Sequence, residues 1–209
     1  MGVKCFLLES TTRVRRSLRR YNADEKARQV PGADCPIHGY HNAMAFIDVI
    51  ERDDSDSYSR KYSRIEDFKD DPRWPSRCDC GYVFKQTDEW QVFLAALYKR
   101  QDNGEEVTLR DAQPGAIWDA TWYSDTPAWC GPDGKALICK LPNGNEWHID
   151  GRASNCTMPN DEVHKCWVRH GDAPNLTVDK NGNTCQAGAG SILSGNWHGF
   201  LRNGELVQA

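Results

Sequence analysis

Residues 136–149 read ALICKLPNGNEWHI, and this stretch decides the fold class. A short apolar run is followed by Pro142-Asn143-Gly144-Asn145 and then by a second short run. Asparagine and glycine tolerate the positive φ angles of tight hairpin turns, so Asn-Gly between two such runs predicts a β-hairpin. We therefore expect a strand, a tight turn and a returning antiparallel strand here.

The rest of the C-terminal part carries the same kind of pattern. Residues 117–123 (IWDATWY) alternate large and small side chains, as expected for a strand. Further hairpins or turns are predicted at 98–109, 131–134, 176–183 and 197–207. Short strands separated by Asn-Gly or Asp-Gly turns are typical of antiparallel sheets. The expected fold class is α+β, mostly antiparallel β with short strands and tight turns, and stabilised by zinc.

The N-terminal part is less regular. Residues 43–50 (AMAFIDVI) predict a strand, and residues 90–98 (WQVFLAALY) predict a buried helix or a strand. The basic run at 13–20 predicts a short helix, or part of a strand followed by an arm. Residues 51–72 are charged and rich in serine, which predicts a surface loop.

The length and net charge of the chain argue against some classes of protein. The 209 residues suffice for one domain or two small ones. We expect a basic N-terminal segment with Cys/His turns and a polar loop at 1–85, and a β-rich domain at 86–209. The net charge of −4, from 26 basic and 30 acidic residues, argues against a protein that is basic overall and coats nucleic acid. Because the sequence has no run of about 18 apolar residues and no signal-peptide pattern, we expect neither a membrane segment nor export.

The number of cysteines is the most informative part of the composition. The chain has nine cysteines, an odd number that cannot pair completely into disulfides within one chain. A reducing cytosol favours metal ligation over disulfides. The cofactor expected is therefore zinc.

The first candidate zinc site joins two short turns. Cys35-x-x-His38 and Cys78-x-Cys80 supply four sulfur or nitrogen ligands as two chelating pairs, which suits a tetrahedral structural zinc site. His41 is an alternative ligand to His38.

A glycine follows each of these ligand pairs. Gly39 and Gly81 stand where a tight turn needs a residue that accepts positive φ.

The second candidate site lies in the C-terminal third of the chain. Residues i and i+2 of a strand point to the same face, so His164-Lys165-Cys166 is a chelating pair if this segment is extended. With two further cysteines the proposed ligand set is Cys156, His164, Cys166 and Cys185.

Two alternatives remain for the C-terminal cysteines. They are small buried thiols, or they form disulfides among Cys130, Cys139, Cys156, Cys166 and Cys185 if the mature protein lies outside a cell, for example in a virus particle.

A zinc- or thiol-dependent enzyme would draw on the cluster between Cys156 and His198, with Cys166, His164 or His198 as reacting groups. The sequence has no HExxH, nucleophile-elbow or deaminase motif, and we expect no catalytic residues.

The arginine cluster in the N-terminal segment has its own alternatives. Arginine forks suit phosphates, so these residues are candidate nucleic-acid contacts, although they equally suit the acidic 51–72 segment or an acidic partner. The cluster consists of Arg13, Arg15, Arg16, Arg19 and Arg20.

Several longer motifs resemble an uncharacterised family of proteins, a domain of unknown function, from tailed bacteriophages and prophages. The motifs lie at 78–81, 88–93, 115–118, 131–134, 150–156, 164–171, 176–182, 191–192 and 197–201. The resemblance implies a phage gene product made in the cytoplasm of a bacterial host, with clustered cysteine and histidine that bind zinc. It implies no reaction and no catalytic residues.

These observations lead to one expected function. We expect a non-enzymatic, zinc-binding phage protein that binds another macromolecule, as an accessory or structural component of the virion or as a host-interaction protein. The expected partner is a virion or host protein, and nucleic acid is the alternative.

Overall fold

The computed structural model describes residues 2–22, 35–52, 58–153, 155–161, 163–180, 185, 187 and 190–209. The predicted turn at 181–183 and part of the predicted loop at 51–72 lie outside the described residues. The chain divides into two compact units. The large unit combines Met1–Ser10 with Tyr98–Ala209, and the small unit is Thr11–Leu97. This division differs from the sequential one expected at residue 85, because two long strands each continue from one unit into the other.

Strands dominate both units, most of them short, and the predicted mostly antiparallel β fold is confirmed. The strands are β1 (Val3–Lys4), β2 (Phe6–Asn22), β3 (His41–Glu51), β4 (Glu89–Arg100), β5 (Glu106–Val107), β6 (Ala116–Asp119), β7 (Leu137–Lys140), β8 (Glu146–His148), β9 (Val168–His170), β10 (Thr177–Asp179), β11 (Ile192–Ser194), β12 (Trp197–Arg202) and β13 (Glu205–Gln208). One α-helix, α1 (Tyr58–Tyr62), and 3-10 turns at Ile65–Phe68, Thr121–Tyr123 and Pro127–Trp129 complete the described elements.

The hairpins predicted for the large unit are present. Strands β7 and β8 pair antiparallel with Ile138 opposite His148, and Gly144 in the turn has φ of +83°. Strands β4 and β5 form the hairpin predicted at 98–109, and β12 and β13 form the terminal hairpin. The terminal hairpin belongs to a sheet with strand order β1-β13-β12-β11, while β9 pairs with β10. The turn chemistry of the sequence thus predicted these three hairpins correctly, whereas the strand predicted at 117–123 ends at Asp119 and is followed by the 3-10 turn Thr121–Tyr123.

The parallel pairing in the large unit was not predicted. The start of β2 pairs in parallel with β6, with Phe6 opposite Ala116, and places β6 between β2 and β7. Parallel strands need a long connection, so no local turn signal marks such a pair. Ile117 and Trp118 on β6 are completely buried, which makes this strand the centre of the apolar core of the unit.

The small unit is built on the antiparallel pairing of β2 with β3. The register runs from Arg13 opposite Glu51 to Asn22 opposite His41, with a bulge after Arg16. The basic run at 13–20 is therefore a strand rather than a helix. Val14 and Leu18 are buried, and residues four apart on one strand share a face because successive side chains alternate.

Two further expectations for the small unit are corrected or resolved. Residues 90–98, predicted as helix or strand, belong to β4. The region 51–72, predicted as a loop, contains α1 and the 3-10 turn Ile65–Phe68. Among the described residues no helix is both long and apolar enough to cross a lipid bilayer.

The parallel pair of the large unit depends on a glycine, which allows a direct test. Gly115 has φ of +92°, and a Cβ atom here would lie 2.5 Å from the carbonyl oxygen of Lys4. Gly134 has a similar φ of +76° but open space around the added Cβ. We expect Gly134→Ala to cost about 1–2 kcal/mol through backbone strain alone. Gly115→Ala should cost at least about 2 kcal/mol more, because the backbone must also move. Equal denaturation midpoints for the two variants would contradict this account.

Candidate metal centres

Two tight turns bring the first group of candidate ligands together in the small unit. In the first turn Gly39 N donates to Cys35 O at 2.9 Å, and in the second Gly81 N donates to Cys78 O at 2.8 Å. Gly39 has φ of +79° and Gly81 has φ of +92°, which confirms the predicted need for glycine at both positions. Each turn presents its cysteine sulfur inward, and Cys35 and Cys78 are buried.

The ligand atoms of this group lie within 4.8 Å of one another, and the group consists of Cys35, His41, Cys78 and Cys80. We call it site 1. The sulfurs of Cys35 and Cys78 are 3.9 Å apart. Nδ1 of His41 is 3.3 Å from the sulfur of Cys80. Site 1 is therefore able to hold one metal ion with three thiolates and one imidazole.

The histidine of site 1 differs from the first choice made from the sequence. His38 was expected as the ligand, but its Nε2 lies 2.9 Å from Oδ2 of Asp79 instead. His41, the alternative, is the first residue of β3, and its ring stacks on Tyr82 at 3.8 Å between centroids. His38 lies inside the tight turn, whereas the pairing of β3 with β2 directs His41 towards the three sulfurs. The sequence does not distinguish the two histidines, and the tertiary structure does.

Backbone amides act on the sulfurs of site 1. Burial alone would raise the pKa of Cys35, but backbone N–H groups of His38 and Ile37 point at its sulfur and the net effect lowers the pKa. The N–H of His38 is 3.4 Å from this sulfur. N–H···S hydrogen bonds stabilise a thiolate, which is the form that ligates a metal.

The second group lies in the large unit and contains the four residues predicted from the sequence. Ligand atoms of Cys156, His164, Cys166 and Cys185 lie within 4.8 Å of one another. We call this group site 2. The sulfur of Cys166 is 3.6 Å from that of Cys185 and 3.7 Å from Nε2 of His164. The segment that carries His164 and Cys166 is irregular rather than a strand, and β9 begins only at Val168.

The electrostatics of site 2 favour a cation. Cys166 is completely buried, and burial together with the nearby sulfurs of Cys156 and Cys185 raises its pKa to about 11. Amide groups again point at sulfur, with the N–H of Met158 3.4 Å from Cys156 and the N–H of Ala187 3.4 Å from Cys185. Three crowded thiols cannot all ionise without a positive charge among them, and a bound metal supplies that charge.

Other candidate residues of the C-terminal cluster lie outside site 2. Nε2 of His198 is 2.8 Å from Oγ of Ser191, and Nε2 of His170 is 2.9 Å from Oδ1 of Asp179. The Cys130 thiol donates to the carbonyl oxygen of Tyr123 at 3.3 Å. All nine cysteines belong to the described residues and have free thiols, so the disulfides considered from the sequence do not form in this structure.

The five arginines of β2 are engaged within the small unit. Arg16 donates two hydrogen bonds to Asp48, at 2.8 and 2.6 Å. Nε of Arg13 lies 3.6 Å from Glu51. These contacts join β2 to β3, and Glu51 opens the acidic segment that was considered as a partner for the cluster. Arg15 also has interactions within the structure.

The remaining two arginines stack on aromatic rings. Arg20 lies 3.6 Å from the ring centroid of Trp90 and donates to the carbonyl oxygen of Lys85. Arg19 donates to Oδ1 of Asn42 at 2.8 Å. A guanidinium stacked on a ring covers the apolar face of that ring and stabilises the strand pair beneath it.

A buried charge network lies near site 2 in the large unit. Asp150 is 2% exposed, and its Oδ1 is 3.4 Å from Nε of Arg169. Nη2 of the same arginine lies 2.5 Å from Oδ1 of Asp133. Among the described residues Oδ2 of Asp150 has no hydrogen-bond partner. Burial raises the pKa of Asp150 to about 6; Arg169 opposes this shift, and Asp133 adds to it.

Comparisons of this chain with protein-family models, with curated proteins and with solved structures find no match. The chemistry of the two Cys/His groups is therefore the basis for a functional proposal.

Because Asp150 is protonated more readily in the folded state than in the unfolded state, it stabilises the fold at low pH and loses this effect as pH rises. The shift from 3.8 to about 6 corresponds to about 3 kcal/mol, lost between about pH 4 and pH 6. We expect Asp150→Asn to be more stable than the parent at pH 7.5 and to lack this component of the pH dependence. Urea unfolding from pH 4 to pH 7.5 measures the difference, and Asp125→Asn, an exposed acid, is the control. A stability difference between Asp150→Asn and the parent that is independent of pH would contradict the assignment.

Proposed function

We propose that sites 1 and 2 each bind one zinc ion and that the protein is a non-enzymatic, zinc-stabilised binding protein. The observation that carries this proposal is the convergence, in each unit, of three cysteine sulfurs and one histidine nitrogen within 4.8 Å. Clusters of this composition in a small volume are costly as free thiols and favourable as metal ligands.

Zinc fits the ligand set better than other common metals. Three sulfurs with one nitrogen form the Cys₃His set typical of tetrahedral structural zinc sites. Calcium and magnesium prefer oxygen ligands, which neither group supplies. The backbone N–H groups that point at Cys35, Cys156 and Cys185 support thiolate ligation in both sites.

The ligand number supports a scaffolding role rather than catalysis. Four protein ligands complete a tetrahedral shell, whereas a catalytic zinc keeps one position for water or substrate. In the small unit the apolar cluster beneath the turns consists of Cys35, Cys78 and Phe84, so two of its buried members are ligands. A metal ion bound there replaces part of a hydrophobic core, which small domains otherwise lack.

We propose that the stabilised domain acts by binding another macromolecule. Trp122 is 54% exposed and Trp129 is 37% exposed, and exposed tryptophans are frequent at interfaces. The sequence motifs that resemble tailed-phage proteins support a role as a virion component or a host-interaction protein, made in the bacterial cytoplasm. Mass spectrometry of purified virions separates these two roles.

The zinc content of the purified protein tests the scaffold proposal. We expect about two equivalents of zinc per chain by elemental analysis, one for each Cys/His group. Cys80→Ser should lose about one equivalent and destabilise the small unit severely, since a ligand-bound turn would be released. Cys130→Ser removes a thiol outside both sites and should keep both zinc ions. Folded parent protein with less than one equivalent of metal would end the proposal.

The choice between the two histidines is testable separately. His41→Ala should lose the zinc of site 1, because His41 supplies the nitrogen of that group. His38→Ala should retain the zinc, because His38 contacts Asp79 instead. Cobalt substitution gives a second readout, since a change from S₃N to three-sulfur coordination alters the visible spectrum of the ion. Loss of metal in His38→Ala alone would restore the assignment made from the sequence.

A further inference from the structure

A mainly apolar groove of about 400 Å³ opens on the surface of the large unit. One wall is the 3-10 turn Pro127–Trp129, and the other is formed by Pro159, which lies between two ligands of site 2. The lining residues are Thr126, Pro127, Ala128, Trp129, Arg152 and Pro159.

The tryptophan of this groove is held in place from behind. The ring of Tyr123 meets that of Trp129 edge-on, with 4.2 Å between centroids and 74° between planes. His148 lies 4.6 Å from Trp129 between ring centroids. Trp129 nevertheless remains 37% exposed. A fixed and partly exposed indole is a preorganised surface for a ligand, because little side-chain entropy is lost on binding.

The groove has little capacity to hydrogen-bond a peptide main chain. Among its lining side chains the polar groups are the hydroxyl of Thr126, the guanidinium of Arg152 and the indole N–H of Trp129, and only the hydroxyl is able to accept a hydrogen bond. Nη1 of Arg152 donates to the carbonyl oxygens of Met158 and Pro159, and its Nε donates to that of His164. A peptide segment that buried its own N–H groups here would lose their hydration without replacement.

A proline-rich segment avoids this cost. Proline has no backbone N–H, and the polyproline II conformation has no internal hydrogen bonds to break. Grooves lined by aromatic side chains bind such segments because the extended helix is already formed in solution. The composition of the groove therefore selects proline-rich segments over ordinary extended or helical peptides.

The charges near the groove indicate which kind of residue would flank the prolines of a bound peptide. Asp125 is exposed and directly precedes Thr126, whereas Oδ1 of Asp161, after the Pro159 wall, already accepts hydrogen bonds from the backbone N–H groups of Val163 and His164. The nearby amine of Lys165 donates to the carbonyl oxygen of Pro127 and is not directed at a bound peptide. A basic residue beside the prolines is therefore complementary to the flank of the groove.

We propose that this groove binds a proline-rich segment with an adjacent basic residue, presented by a protein partner. The inference rests on the proposed function in one respect, since it names the chemistry of the macromolecule that the zinc-stabilised domain binds.

Both walls of the groove are tied to site 2, so binding depends on its metal. Arg152 links Pro159 to His164, which is a ligand. Lys165 lies between the ligands His164 and Cys166 in the sequence. Its amine donates a hydrogen bond to the carbonyl oxygen of Pro127 in the other wall. Loss of the metal releases the segment that carries these contacts and changes the width of the groove.

The test uses the full-length, zinc-loaded protein labelled with ¹⁵N, with an acetylated oligoproline peptide that ends in arginine amide. We expect a saturable shift of the indole N–H signal of Trp129, while the signal of Trp122, outside the groove, stays unchanged. Replacing the arginine by glutamate should weaken binding roughly threefold, as expected for an exposed charge contact. A Gly/Ser peptide with the same arginine should not bind.

Variants separate groove binding from a general loss of structure. Trp129→Ala removes the reporter indole, so its binding is measured by calorimetry, and it should be weaker at least about tenfold, as expected for a central aromatic contact. Trp122→Ala is the matched control and should bind like the parent. Because Trp129→Ala also removes packing against Tyr123, Ala128→Arg is a second variant that fills the groove and keeps the indole. Chelation should abolish the shift of Trp129, and added zinc should restore it.

Several results would overturn this inference. They are the absence of a shift in zinc-loaded protein, equal binding of the Gly/Ser peptide, and binding that survives both groove variants. A Trp129 signal that moves with protein concentration alone would indicate that a second copy of the chain covers the groove. If zinc-loaded protein does not bind the peptide, only this inference is refuted. If the folded protein is isolated without zinc, the proposed function is refuted.

Discussion

Sulfur and nitrogen atoms from distant parts of the chain converge twice in this protein, and much of the remaining structure serves to hold them there. In the small unit the turn at 35–39 supplies Cys35, the turn at 78–81 supplies Cys78 and Cys80, and the pairing of β2 with β3 places His41 opposite Asn22. Cys35 and Cys78 are candidate ligands and also members of the apolar cluster with Phe84. Loss of the proposed zinc ion would leave crowded, poorly solvated thiols, so the proposal couples metal binding to folding.

In the large unit a more extensive apolar core surrounds the converging sulfur and nitrogen atoms. Its core includes the fully buried Ile117, Leu141 and Leu201, and Cys166 belongs to this cluster. Cys156 and Cys185 pack against the cluster from partly exposed positions. Site 2 thus fastens an irregular segment, which has few backbone pairings of its own, onto a sheet that the hairpins already define. That segment also forms one wall of the groove at Trp129, so the proposed metal site and the proposed binding groove share one set of contacts.

Buried charge is the second constraint on the large unit. Arg169 lies between Asp133 and Asp150, and Gly131 permits this approach, because a Cβ atom there would lie 1.9 Å from the guanidinium. Burial raises the pKa of the Asp150 carboxyl group, one oxygen of which has no hydrogen-bond partner among the described residues. In the small unit the arginines of β2 are instead satisfied by partners such as Asp48, or stack on rings such as that of Trp90.

The sequence by itself determined the local features of this protein. Asn-Gly turns predicted the hairpins at Gly144 and Gly204, and Gly39 and Gly81 marked the two ligand turns, because positive φ is a property of single residues. The spacing of cysteine and histidine also indicated which residues form site 2. Tertiary structure alone decided the parallel pairing of Phe6 with Ala116, the strand at 13–20, and the replacement of His38 by His41. Local sequence decides none of these features, because each depends on contacts between residues far apart in the chain.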